Sequence, residues 1–263
     1  MKSLPLRQIS KKQLFTLMKI LVCICQTPDT TAKIEFTNAN TQFNTSGVQY
    51  ILNPTDEWYA LVRALELKEQ NGGSVTVVTV GKADTEQNIR KALAIGADDA
   101  VRIDASPEDA YVVGAHIADY AAGKGYDIIF TGKETIDYNG FSVPGVVAEL
   151  LDLPQVSLAA HLTMNGNTAT IDREIEGGIE RVQVSTPFLV SAQKGMAEQR
   201  IASMKGIMSA RTKPLQVIAP KDVKPLSVVS YYELPAKRQT VRLIAPEHAA
   251  DLVRLLHEEA KVI

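Results

Sequence analysis

From Met18 onward, short apolar runs alternate with helical stripes in a regular order. Lys19–Cys25 (KILVCIC) has the aliphatic, β-branched texture of a buried strand. Asn53-Pro54 offers a cap followed by proline at a first helical position. Trp58, Leu61, Val62, Leu65 and Leu67 then follow at helical spacing to Gln70. Ser74–Val80 (SVTVVTV) reads as a second strand, stopped by Gly81. A helix capped by Asp84 runs to Ile95 and ends at Gly96. Asp99–Asp104 is a short third strand, Pro107 opens a helix through Tyr120, and Asp127–Thr131 is a fourth strand. Another helical periodicity starts near Val143 and stops before Pro154. Strands alternating with helices of this length predict βαβ units: a Rossmann-like α/β fold, its parallel sheet covered by helices on both faces. Between the first strand and Asn53, Ile34-Glu35-Phe36 and Val48-Gln49-Tyr50-Ile51 are strand-like pieces, read as a hairpin or excursion.

The pattern changes after Pro154. Val156–Thr163, Thr168–Ile175 and Ile179–Ser185 are strand-like and joined by Asn165-Gly166-Asn167 and Glu176-Gly177-Gly178, both turn chemistry. Phe188–Ala192 (FLVSA) is a further buried strand. These predict an antiparallel flap attached to the parallel sheet. From Gln193 to about Gln239 long periodic runs are lacking, and Pro214, Pro220, Pro225 and Pro235 punctuate the segment. A structureless stretch of that length does not suit a compact interior, so it is read as an extended arm lying on another chain. Val241–Ile244 is read as a short strand. Pro246-Glu247 begins a terminal amphipathic helix carrying Leu252, Val253, Leu255 and Leu256.

The first seventeen residues contain four basic and no acidic side chains and show no periodicity. They are read as a disordered or non-native extension ahead of Met18, because no small-residue cleavage site follows an apolar core. The expected organisation is thus 1–17 as extension, 18–192 as a nucleotide-binding α/β domain with its flap, and 193–263 as partner-recognition loop and C-terminal arm. A net charge of −2 gives no electrostatic footprint for nucleic acid or anionic lipid. No run reaches membrane-spanning length, and a cytoplasmic location is expected.

Catalytic signatures are lacking. The chain has no GxSxG elbow, Walker loop or GxGxxG, and its four histidines lack metal-ligand spacing. Cys23 and Cys25, the only cysteines, suit neither a disulfide framework nor a CxxC pair. Asp172, Glu174 and Glu176 are acids two apart. They are read as charges offset by Arg173 and Arg181 across a hairpin, with a metal or acid–base site as the alternative. No catalytic residue and no metal ligand is assigned. The stretch after Asp127–Thr131 is more telling: strand, Gly132-Lys133, a loop with Asp137, Asn139 and Gly140, then a helix start near Val143. That layout aims backbone N–H groups and a helix dipole at an anion, where ligands sit in open α/β sheets.

The segment Asp172–Ser191 (DREIEGGIERVQVSTPFLVS) resembles the signature of the electron-transfer flavoprotein β subunit. Arg173, Glu176-Gly177-Gly178, Glu180, Val182 and Pro187 with Leu189-Val190 fill its required positions. Asn53-Pro54 with Glu57, the run ALAIGADDAVRI, the loop GKETIDYNG and Gly206-Ile207-Met208 extend the likeness over Met18–Ile263. The resemblance implies a heterodimer whose α subunit carries most of the FAD, with AMP or a second FAD held on this chain. It implies electrons arriving from acyl-CoA or other flavin dehydrogenases and leaving to a quinone oxidoreductase, with no bond chemistry by this chain. Nucleotide contacts would fall on Cys23, on Asn53, Pro54, Thr55 and Asp56, and on Val80. They would continue along Gly132, Lys133, Glu134, Thr135, Ile136, Asp137, Tyr138, Asn139, Gly140, Phe141, Ser142 and Val143. The donor-recognition loop would be Gln193–Lys205, with Met196, Ala197, Glu198, Gln199, Arg200 and Ile201 as the grip; Met196 takes the place of a common leucine. The nucleotide loop departs from the family. Where Asp-Gly-Asp-Thr-Ala-Gln-Val-Gly-Pro is frequent, this chain reads Asp137-Tyr138-Asn139-Gly140-Phe141-Ser142-Val143-Pro144-Gly145, losing a threonine and a glutamine. Two alternatives stay open: an electron-bifurcating subunit holding a second FAD and oxidising NADH, and a stand-alone nucleotide-binding module.

Overall fold

A computed structural model describes residues 17–236 and 241–263. The expectation for the N-terminal extension therefore lies outside the described residues, apart from Leu17. The chain divides into two units: residues up to Glu35 with Asn44–Val229, and Phe36–Phe43 with Ser230–Ile263.

The first unit is built on strands β1 (Met18–Cys23) and β2 (Gln26–Pro28). The second unit contributes β3 (Phe36–Thr37) and β4 (Gln42–Phe43). The first unit resumes with β5 (Tyr50–Leu52), α1 (Asp56–Asn71), β6 (Gly73–Val80), α2 (Glu86–Ile95), β7 (Asp99–Ile103), α3 (Ala110–Ala121), β8 (Ile128–Gly132) and α4 (Ser142–Leu150). It continues through β9 (Gln155–Asn165), β10 (Thr168–Ile175), β11 (Gly178–Ser185), β12 (Phe188–Ala192), α5 (Met204–Ala210) and β13 (Leu215–Ile218). The main sheet has the order β11-β10-β9-β12-β8-β1-β6-β7-β13. Pairings from β9 through to β13 are parallel, whereas β10 runs antiparallel to both its neighbours. The Rossmann-like sheet and its antiparallel flap are as the apolar pattern predicts.

The central strands are apolar on both faces because each face is covered. Ile20, Val22, Val75, Val77, Ile128 and Phe130 join Leu61, Leu65, Ile89 and Leu93 of α1 and α2 on one side. Leu21, Val78, Ile129 and Leu189 join Ile117 and Ala121 of α3 and Val147 and Ala148 of α4 on the other. The period of two along β1 thus feeds two separate cores.

Several local expectations are corrected. Asn53 does not cap α1; Thr55 occupies the cap position and no side chain caps it. Asp84 lies in a 3-10 turn (Ala83–Thr85) ahead of α2, where its carboxylate accepts from Gln26 Nε2 at 2.8 Å. The helix expected from Pro107 begins at Ala110, because Asp109 supplies the cap and accepts from Val112 N at 2.7 Å. Before α1, the strand-like pieces do not pair with each other: β5 pairs with β2, and β3 with β4. Within 193–239, α5 and β13 are ordered elements. Gly206 lets α5 close on α2, since a Cβ there would lie 2.2 Å from Ala94 O. Strand β13 extends the sheet by pairing in parallel with β7, from Leu215↔Ala100 to Ile218↔Ile103. Four residues with an exposed face give too little periodicity to be seen in the sequence.

In the second unit β3 and β4 form a small hairpin turned by Asn38, Ala39 and Asn40, all with positive φ (50°, 54° and 64°). Tyr232 stacks on Phe36 with ring centroids 4.9 Å apart, and its N–H donates to Asn40 O at 2.7 Å. Residues 241–245 are not a strand; Val241 and Leu243 are exposed there. The terminal helix α6 spans Ala249–Glu258 after a 3-10 turn at Pro246–His248.

Candidate nucleotide-binding site

From β1 the chain moves through α1 to β6 and β7 on one side; β8 then returns to the other side of β1. The sheet therefore has its switch point between β1 and β8, where the flanking connections diverge and leave a crevice at the strand C-termini. The sequence-predicted residues meet at this edge. Cys23 ends β1, Val80 ends β6, Gly132 ends β8, Asn53–Asp56 lead into α1, and Ser142-Val143 open α4. Residues 133–141 form the intervening loop.

The crevice is stitched by bonds between distant segments. Asn53, 0% exposed, donates from Nδ2 to Glu134 O at 2.9 Å, while Glu134 N donates to Asp56 Oδ2 at 3.3 Å. Cys25 N donates to Glu57 Oε2 at 2.6 Å. Lys133 N donates to Ala192 O at 2.9 Å, holding the loop against β12. Gly132 must be glycine for this closure. A Cβ there would lie 2.8 Å from Glu57 Cγ, 3.1 Å from Glu57 N and 3.2 Å from Asp56 Cβ. The start of α1 is thus packed directly on the end of β8.

The electrostatics follow from burial and from few cations. Glu57 is 7% exposed, and burial pushes its carboxyl up to about 8, although the Cys25 N–H, the Cys25 thiol and the Asn53 amide pull the other way. Burial also raises Asp56, with Lys133 and the Glu134 N–H opposing. The thiols of Cys23 and Cys25 are driven up by burial and by Glu57. Lys133 pairs with Glu134 at 3.0 Å, which raises its ammonium above the ordinary lysine value. Asp137 is close enough to Glu57, Cys25 and Tyr50 to raise all three. Two polar features lack a protein partner. Asn53 Oδ1 is buried without a partner, and the first turn of α4, with Phe141 at its cap position, has no side-chain cap. A helix start with free N–H groups and an unpaired amide oxygen fits the phosphate and the polar base edge of a nucleotide. Sequence reasoning gave Glu57 and Cys25 no part in this site; a single acid four residues after Asn53 carries no signal of its burial.

The comparisons with known proteins cover the elements that form this edge. The electron transfer flavoprotein domain matches residues 40–223, which include Asn53, Val80 and the 132–143 loop. The electron transfer flavoprotein subunit beta of Bacillus subtilis (strain 168) is 36% identical over 260 residues, covering 94% of this chain and 100% of that protein. The chain belongs to the electron transfer flavoprotein β-subunit family. The human electron transfer flavoprotein subunit beta is 31% identical over 196 residues, 72% of this chain and 76% of that protein. The acryloyl-CoA reductase electron transfer subunit gamma of Anaerotignum propionicum is 33% identical over 197 residues, with coverages of 72% and 73%. Membership of a flavoprotein family carries a role in electron transfer and implies a partner subunit and redox partners. No helix among the described residues is long and apolar enough to cross a membrane.

The 196–201 segment is strapped to α1. Arg200 makes a two-pronged bond to Glu69 (2.6 and 3.0 Å), Trp58 Nε1 donates to Arg200 O at 3.3 Å, and Gln199 Nε2 donates to Pro54 O at 3.3 Å. Met196 is 3% exposed and packed in the core, so it does not present a free apolar side chain in this conformation. Ile201, by contrast, is 86% exposed, and Met204 and Met208 of α5 are also exposed. In the flap Arg181 grips Asp172 at 2.6 and 2.9 Å as expected, whereas Arg173 pairs with Glu180 at 3.4 Å and not with Glu174 or Glu176. Among the described residues no group of His, Cys, Asp or Glu is placed to hold a metal ion.

Proposed function

We propose that this chain is the β subunit of an αβ electron carrier, holding AMP in the β1/β8 crevice and docking on an FAD-bearing α subunit. The pair takes electrons from acyl-CoA dehydrogenases or other flavin dehydrogenases and delivers them to a quinone oxidoreductase. The observation that carries the nucleotide assignment is the convergence of Cys23, Asn53–Asp56, Val80 and residues 132–143 at the switch point. The phosphate is met by the uncapped N–H groups of α4, and the base edge by the buried Asn53 amide. When bound in the assembled pair, FAD supplies the one- and two-electron chemistry. This chain's residues bind and orient. The Asn53–Glu134 and Cys25–Glu57 bonds fix the crevice, and the Arg200–Glu69 pair sets the recognition segment. Donor recognition falls on the exposed Ile201 with Met204 and Met208, and Met196 backs the segment from within. Exposed apolar residues from Leu226 to Leu243 suit the arm to lie on the α subunit.

Co-expression with the α subunit tests the reading. A stable pair yielding one FAD and one AMP on extraction is expected. Two flavins per pair would replace it with the electron-bifurcating alternative, and a chain that purifies alone with nucleotide bound would make it a stand-alone module.

A further inference from the structure

Glu57 enters the scheme above only through its bond to Cys25, yet it is a deeply enclosed acid at the crevice. Its Oε2 accepts from Cys25 N at 2.6 Å, and its Cγ occupies the space that a side chain on Gly132 would need. The carboxyl is therefore wedged between the ends of β1 and β8. Among the described residues no cation pairs with it, since Lys133, at the head of the loop, pairs with Glu134 instead. The groups facing it are Cys23 and Cys25 from the end of β1, Asn53 ahead of α1, and Asp137 from the loop after β8. Asp56 beside it and Glu134 across the loop add two further acids, bonded to each other through Glu134 N. An anionic ligand here meets a predominantly acidic set of side chains. One more negative charge at the buried position is then felt strongly, because burial limits screening by water and salt.

We infer that Glu57 is a positioning residue whose charge sets how firmly the crevice holds an anionic nucleotide. Uncharged, it ties β1 to α1 and leaves the phosphate to the loop and α4 amides; as a carboxylate, it repels the ligand. This rests on the reading that a nucleotide phosphate lies at this edge. Burial places the change of charge at about 8, within reach of ordinary buffers. The two thiols are pushed above the usual cysteine value and Lys133 above the usual lysine value, so neither titrates alongside Glu57.

The test uses the αβ pair stripped of nucleotide, with AMP and adenosine as probes, titrated calorimetrically from pH 7 to 9.5. Wild-type affinity for AMP is expected to fall about tenfold or more across that range, one unit of coupling being a factor of ten. Affinity for uncharged adenosine should stay within about threefold, and AMP affinity of Glu57→Gln, whatever its value at pH 7, should be equally flat. AMP binding with the same pH dependence in wild type and Glu57→Gln, or adenosine weakening in step with AMP, overturns the inference alone. Absence of AMP binding at pH 7 overturns the nucleotide reading and takes this one with it. Should the variant not fold, wild type alone decides: AMP affinity that begins to fall near pH 8 and drops about tenfold by 9.5 supports the role, and affinity flat to 9.5 overturns it.

Discussion

Replacing Gly132 by alanine probes the closest contact in the crevice. The added Cβ would stand 2.8 Å from Glu57 Cγ, 3.1 Å from Glu57 N and 3.2 Å from Asp56 Cβ, whereas comfortable carbon contacts lie at about 3.5–4.0 Å. Two of those three atoms belong to the backbone or Cβ of the first turn of α1, so side-chain rotation cannot relieve the crowding. Either α1 or the end of β8 must shift by roughly half an ångström or more. Overpacking of this kind costs about 1–3 kcal/mol. The backbone at Gly132 is not in the left-handed region, so alanine also recovers roughly 0.4–1 kcal/mol from the unfolded chain. The net expectation is a loss of about 1–2 kcal/mol and a Tm lower by roughly 2–8 °C for a unit of this size. Because the shift opens the crevice, AMP affinity should fall with it. Gly140→Ala is the matched control: same loop, no heavy atom within 4 Å of the added Cβ, and no positive φ. Thermal unfolding and AMP titration of both variants in the αβ pair decide the matter. Equal stability and equal affinity for the two would refute the claim that α1 and β8 meet at Gly132.

Three further outcomes are expected. Asp109 caps α3 through Val112 N and also accepts from Leu226 N and Ser227 N at 2.7 and 2.9 Å; Asp109→Ala should cost about 1–2 kcal/mol and speed proteolytic cleavage near 226–227, read by limited proteolysis. Glu57, raised from 4.5 to about 8, binds its proton more tightly folded than unfolded, so its contribution to stability is complete below about 4.5 and lost as pH rises through about 8; this is worth on the order of 4–5 kcal/mol, and denaturant titrations should show wild type weakening across that window relative to Glu57→Gln. Arg200→Ala breaks a half-exposed pair with Glu69 and should cost under about 1 kcal/mol globally, while hydrogen exchange of residues 196–201 accelerates; unchanged exchange would show that the pair does not hold the segment.

The residues differ in how readable they were. The strands of the parallel sheet and the flap show in the sequence because each carries a complete signal, a run of β-branched and aliphatic residues bounded by turn chemistry. Phe188–Ala192 emerges with the predicted bounds. Asn53 was found but misassigned. Asn before Pro is ordinary capping chemistry, and nothing local reveals that Glu134, 81 residues on, claims the amide. Glu57 and Cys25 were invisible as a pair because their bond joins separate elements. Strand β13 was lost because an edge strand of four residues, its two middle side chains exposed, has neither length nor alternation. Met196 shows the same limit from the other side: motif correspondence gives its place in the chain, and only packing decides which way it faces.

Helix α1 links the two halves of the proposed function. Its first turn presents Asp56 and Glu57 to the crevice and leans on Gly132, while Trp58 and Glu69 along its length hold Arg200. A ligand that fills the crevice therefore braces the same helix to which the recognition segment is tied. Without such a ligand Asn53 Oδ1 stays unpaired and the first turn of α4 stays without a side-chain cap. On the proposed reading, a nucleotide placed there acts as a structural pin between α1 and the loop after β8.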